Sequence, residues 1–105
     1  MDAPEGTAAR AKLPRAASEW PLLVADAMDE AAMTDVAART RVVVTTVGPY
    51  ARFGTALVAA CAAAGTHYCD LTGEVLFVRE VIDAHHETAR ETGARIVTSC
   101  GFDSV

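Results

Sequence analysis

The sequence predicts an α/β fold: an incomplete parallel sheet of about four strands with flanking helices. Three observations carry this. Short apolar runs alternate with helical periods in the order β-α-β-α-β-α-β, at ~20–30-residue spacing, the pattern of right-handed parallel crossovers. Residues 42–47 (VVVTTV) are β-branched throughout and are stopped by Gly48 and Pro49, as expected of a strand buried on both faces. Residues 54–64 (GTALVAACAAA) form a helical stretch that is apolar nearly all round, so it should lie packed against the sheet.

In chain order, residues 1–18 are polar and alanine-rich, with Pro4 and Pro14, and read as a disordered start. Residues 20–25 (WPLLVA) read as the first strand, with Pro21 near its beginning where a missing N–H is tolerated. Asp26 can cap the helix that follows over 28–38. Ala32, Met33, Val36 and Ala37 form that helix's apolar stripe. The valine-rich strand comes next, then 51–53 as a loop, then the alanine-rich helix with Gly65 as its C-cap. Residues 67–71 (HYCDL) read as the third strand. A long helix over 74–92 follows, with Val75, Val78, Ile82 and His85 on one face, and Gly93 ends it. Residues 94–99 (ARIVTS) are the fourth strand, and 100–105 a tail. The sequence divides into the polar start, 1–18, and one domain, 19–105.

Composition narrows the function. Of 105 residues, 51% are apolar, which suffices for one small core, though much of it is alanine and the core should be thin. The net charge is −5 and no basic cluster stands out, so nucleic acid is not an expected partner. No apolar run approaches ~20 residues, so no membrane span is expected. The first ten residues lack the apolar core of a signal peptide. Cys61, Cys69 and Cys100 are odd in number and irregularly spaced, which fits reduced, buried thiols in a cytoplasmic protein.

Several chemistries lack their motif. His67 and Cys69 share a strand face, but the paired close ligands of a zinc site are missing, so no metal is expected. His85 and His86 point about 100° apart on a helix, one toward the sheet and one toward water. There is no G-x-S-x-G elbow and no G-x-x-x-x-G-K-[ST] loop. The G-x-G-x-x-G dinucleotide fingerprint is absent too. By its residues alone, VGPY at 47–50 is an ordinary strand-to-helix turn. Asp70, Thr72 and Glu74 read either as helix-capping groups or as the rim of a cofactor pocket. Residues 101–104 close the fourth strand in the same way.

Four blocks, taken in order, resemble the saccharopine-dehydrogenase-like oxidoreductases, including the trans-acting enoyl reductases of lipid biosynthesis. They are VVTTVGPY at 43–50, the helix at 54–65, HYCDLTGE at 67–74 and IVTSCGFDSV at 96–105. The resemblance spans 20–105 and implies an incomplete Rossmann-like domain using a nicotinamide cofactor, NADP(H). It implies that Val47, Gly48, Pro49 and Tyr50 lie along the cofactor near its nicotinamide half. Tyr50 could donate a proton there or merely pack, and the weak acidity of a tyrosine phenol favours packing. Asp26 would lie near the adenine end. Asp70, Thr72, Gly73 and Glu74 would border the nicotinamide or the substrate. Gly101, Phe102, Asp103 and Ser104 would lead toward a small-molecule or lipid-linked substrate.

Against that family the sequence departs sharply. Carried onto the 3-2-1-4-5-6 strand order, it holds strands 3 to 6 and lacks the glycine-rich turn and the substrate domain. Two expectations follow. Cofactor binding by this chain should be weak or absent, because the helix N-terminus that holds the diphosphate is missing. The 42–47 strand should have a free edge, open to residues 20–25 or to self-association. The functional expectation is a fragment of an NAD(P)-dependent oxidoreductase, inactive alone. The alternatives are a non-catalytic interaction module or one half of a split enzyme.

Overall fold

The computed structural model describes Leu23 and residues 25–101 of the chain. The predicted polar start, most of the predicted strand 20–25, and Phe102, Asp103 and Ser104 lie outside the described residues. Leu23 and Ala25 carry no regular structure. The elements are α1 (Glu30–Ala38), β1 (Val42–Thr45), α2 (Tyr50–Phe53), α3 (Thr55–Ala64), β2 (His67–Asp70), α4 (Val75–Thr92) and β3 (Ile96–Val97).

Among the described residues the sheet is three-stranded and wholly parallel, in the order β1-β2-β3. This is the predicted α/β architecture, consistent with a partial Rossmann-like fold. Register sorts the side chains into two rows. Val43, Tyr68 and Ile96 align across the strands, as do Val44, Cys69 and Val97. Tyr68 is 1% exposed, and Val43 and Ile96 pack against the same core. The other row is open: Val44 is 69% exposed and Val97 51%. The expectation that the valine-rich strand is buried on both faces is therefore corrected. Successive residues of a strand point to opposite faces, and the core lies on only one of them.

That core is built around α3, whose Leu57, Val58, Ala60, Cys61 and Ala62 are buried. Small side chains let α3 sit between α1 and α4, with the strands beneath it. Met33 and Ala37 bring the expected stripe of α1 into the cluster. On α4 the buried residues are Phe77, Val81 and Ala89. Of the predicted face, Val75 and Ile82 are turned outward, with Val75 78% exposed, while Val78 and His85 are half-buried. The Phe77 ring reaches the Tyr50 ring, 5.7 Å between centroids. Burying an aromatic ring removes more apolar area from water than a valine does, so it sets the helix rotation.

The helix ends show local chemistry overriding simple pattern. Asp29, not Asp26, caps α1, its Oδ1 accepting from Ala31 N at 3.0 Å and Ala32 N at 3.2 Å. Asp26 makes a local turn instead, accepting from Met28 N at 2.9 Å. At the far ends, hydroxyls from later elements satisfy orphan carbonyls. Thr66 Oγ1 donates to Ala37 O, and Thr92 Oγ1 to Ala62 O, both at 2.6 Å. Gly65 and Gly93 end α3 and α4 at φ of 75° and 85°, the left-handed region that disfavours a side chain.

The segment 51–53, expected as a loop, is helical as the body of α2. Of the three cysteines only Cys61 is buried; Cys69 is half-buried and Cys100 exposed, so the expectation of three buried thiols is corrected. His67 is engaged through Nδ1, which accepts the Arg95 N–H at 3.0 Å. His85 is half-buried and His86 exposed. Among the described residues no helix is long and apolar enough to cross a membrane. None of their His, Cys, Asp and Glu side chains cluster in threes that could hold a metal ion.

Candidate functional site

Three parallel strands end at one edge of the sheet, and each runs into a turn rich in predicted site residues. The turn after β1 carries Val47, Gly48, Pro49 and Tyr50. The turn after β2 carries Asp70, Leu71, Thr72, Gly73 and Glu74. The turn after β3 carries Ser99, Cys100 and Gly101. Ligands of parallel α/β sheets bind at this edge.

The first and second turns are joined through Tyr50. Its hydroxyl donates to Thr45 O at 3.2 Å and accepts from Leu71 N at 3.3 Å. Its backbone N–H donates to Glu74 Oε2 at 2.6 Å, and Ala51 N donates to Glu74 Oε1 at 3.1 Å. Pro49 stands at the N-cap of α2 and has no side chain that can cap. Glu74 thus satisfies, from another element, two donors that α2 cannot satisfy itself.

The second and third turns are joined through Asp70, which is 1% exposed. Its Oδ2 accepts the Tyr68 hydroxyl at 2.6 Å, and its Oδ1 accepts from Thr72 N and Ser99 N, both at 3.0 Å. Ser99, at φ 60°, returns a hydrogen bond from Oγ to Thr72 O at 2.8 Å. Cys100 N donates to Asp70 O at 2.7 Å. Thr72 Oγ1 accepts from Glu74 N at 3.0 Å, linking the two junctions. Among the described residues no buried side-chain polar atom lacks a partner.

Electrostatics follow from this packing. Burial, then the hydrogen bond and charge of Asp70, hold the Tyr68 phenol well above the usual tyrosine range. Burial pushes the Cys61 thiol up to about 11. The Cys69 thiol is also raised, first by burial and then by the neighbouring Cys100 and Asp70.

The predicted residues therefore fall into two groups. Tyr50, Asp70 and Thr72 are buried and hold the turns together. Val47, Gly48, Pro49 and Gly73 are exposed on the rim, with Leu71 beside them. A Cβ built on Gly73 would meet nothing within 4 Å, and one on Gly48 only the Tyr50 ring, at 3.7 Å and beyond. The rim is open enough for a flat ligand to approach the backbone. Gly101 is half-buried at the end of the third turn. Asp26 precedes α1 and belongs to none of these junctions. A separate groove of about 460 Å³ lies between α4 and β3, walled by Val81, Ile82, His85 and Ile96, and none of the predicted site residues lines it. Sequence reasoning took Ser99 as the last residue of a strand over 94–99; β3 ends at Val97, and Ser99 instead turns left-handed onto a buried carboxylate, which its residue type does not signal.

The chain is similar to trans-acting enoyl reductases of mycobacteria. It is 58% identical over 98 residues to the trans-acting enoyl reductase of Mycobacterium ulcerans. It is 59% identical over 98 residues to a putative trans-acting enoyl reductase of Mycobacterium tuberculosis. With the trans-acting enoyl reductase of Mycobacterium leprae it shares 57% over 96 residues. These alignments cover 93%, 93% and 91% of this chain but only 23% of each reductase. The chain thus spans about a quarter of the length of the curated relatives it matches. No family model matches it, and no solved structure matches it significantly.

Proposed function

We propose that this chain forms the nicotinamide-side part of the dinucleotide-binding domain of an enoyl reductase. The observation that carries the proposal is the 58% identity over 93% of the chain to an enzyme of that name. The resemblance to saccharopine-dehydrogenase-like oxidoreductases supports NADP(H) as the cofactor and a lipid-linked enoyl group as the substrate. The parallel sheet, with its turns converging at one edge, is the scaffold such a cofactor requires.

The rim fits the nicotinamide half. Val47, Pro49 and Leu71 offer apolar surface, and Gly48 and Gly73 leave the backbone approachable. The cofactor supplies the hydride when bound. The chain's own residues orient it. Tyr50 is a packing and bracing group here, since its hydroxyl is committed to Thr45 O and Leu71 N. Asp70 braces the second and third turns from beneath. Nothing in the sequence supplies a glycine-rich diphosphate cradle, so binding by this chain alone is weak.

A chimera tests the reading: the matching quarter of a mycobacterial trans-acting enoyl reductase is replaced by this sequence. NADPH-dependent reduction of an enoyl thioester should persist. A folded chimera that oxidises no NADPH would overturn the proposal.

A second reading, an interaction module, draws on one observation. On β1, Val42 and Val44 are 51% and 69% exposed, and among the described residues β1 pairs with β2 alone. Sedimentation equilibrium separates the two: concentration-dependent self-association favours the module, and a monomer across the range favours the enzyme part.

A further inference from the structure

We propose that Glu74 is a positioning residue for the nicotinamide ring, setting the 47–49 turn against the 71–73 turn by gripping the Tyr50 and Ala51 N–H groups. The inference rests on the cofactor reading above and names the residue that makes the rim a defined surface.

Glu74 is unusual for a helix N-cap. It occupies that position of α4 with extended backbone, φ −88° and ψ 94°, yet its side chain makes no hydrogen bond to its own helix. The carboxylate instead reaches residues 24 and 23 positions earlier, with one oxygen for each donor. Both carboxylate oxygens are spent on the first turn of α2. A two-pronged, charge-assisted contact of this kind fixes direction as well as distance.

The grip acts on the exposed part of the rim. Val47, Gly48 and Pro49 lie between two anchors. At one end Val47 N donates to Thr45 Oγ1 at 3.2 Å. At the other, Tyr50 is held by N–H to Glu74, by hydroxyl to Thr45 O and Leu71 N, and by its ring against Phe77. Glu74 is in turn rooted in the second turn through its N–H to Thr72 Oγ1, and Thr72 O accepts from Ser99. One carboxylate therefore couples the two turns that carry the exposed rim residues.

The residue type is demanding. Glutamine keeps one acceptor and aims an amide donor at the other N–H. Aspartate is one methylene shorter. Alanine leaves both donors without an acceptor, but it also leaves a half-open space that a small carboxylate can enter.

The test uses the full chain, labelled for amide NMR, as parent, Glu74→Gln and Glu74→Ala. In Glu74→Gln, hydrogen exchange at Tyr50 and Ala51 should speed by about tenfold or more while Val58 and Cys61 keep their protection. In Glu74→Ala, acetate but not chloride should restore the protection of the two amides. Millimolar NADPH should shift Val47, Gly48 and Gly73 in the parent, with an apparent affinity about tenfold weaker in Glu74→Gln. Unchanged exchange at Tyr50 and Ala51, or equal loss throughout α3, overturns the proposal. So does a variant that loses the grip yet binds NADPH as the parent does. The chimera described above separates the two readings: if it folds and oxidises no NADPH while the grip behaves as described, the cofactor reading has failed, and the positioning role falls with it.

Discussion

The backbone N–H of Ser99 donates to Asp70 Oδ1 at 3.0 Å, so the turn after β3 hangs from the last residue of β2. The same carboxylate holds the Tyr68 hydroxyl and the Thr72 N–H. Asp70→Ala would leave three donors without their acceptor in a site closed to water. Each such loss costs about 1–3 kcal/mol, so the variant should lose about 3 kcal/mol or more. Urea denaturation measures it, and an unshifted midpoint would show that the turns hold without the carboxylate.

Alkaline pH should weaken the fold in two stages. The native Cys61 thiol keeps its proton to about 11, against an ordinary 9.0, and native Tyr68 is raised above its ordinary 10.0. Above those ordinary values the unfolded chain has released protons that the native chain still binds, so stability falls as pH rises. It should be level below pH 9.0, lose about 2–3 kcal/mol to Cys61 between there and 11, and lose more to Tyr68 from 10.0 upward. Cys61→Ala should remove most of the first stage, leaving the part due to Cys69, whose thiol is also raised. Urea midpoints taken across that range, parent against variant, decide it.

Gly54 joins α2 to α3 where two elements come closest. A Cβ there would stand 2.9 Å from Tyr50 O and 3.0 Å from the Phe77 ring. Backbone cannot yield as a flexible side chain can. Gly54→Ala should therefore cost about 1–3 kcal/mol despite alanine's better helix propensity. A raised melting temperature would mean that Phe77 moves aside freely.

The two sides of the sheet should respond very unequally to the same change. Val58 is fully buried above one face, and Val44 is 69% exposed on the other. Val58→Ala should cost about 2 kcal/mol, while Val44→Ala should fall within about 0.5 kcal/mol of the parent. A large cost at Val44 would show that its face is covered in solution.

Much of the architecture was legible because its signals are local. Parallel β-α-β alternation, the packing role of the alanine-rich helix and the glycine ends of α3 and α4 follow from periodicity and from backbone freedom. So do the identities of the residues gathered at the carboxyl edge. The misreadings have physical causes. Val75 and Ile82 match helical spacing as well as Phe77 and Val81 do, and only packing against α3 and the Tyr50 ring selects between them. Asp26 and Asp29 are both plausible caps, and the start of α1 selects the second.

Local order by itself determined three strands, the three longer helices and the parallel direction, because hydrophobic period and turn chemistry act within a few residues. It also singled out the polar turn residues. Only the tertiary structure decided what those residues do. Glu74 and Tyr50 are 24 positions apart, Asp70 and Ser99 29, and no local pattern records a bond made across strands. The carboxylates that looked like rim groups are spent bracing the turns from within, because buried N–H groups need acceptors wherever folding leaves them.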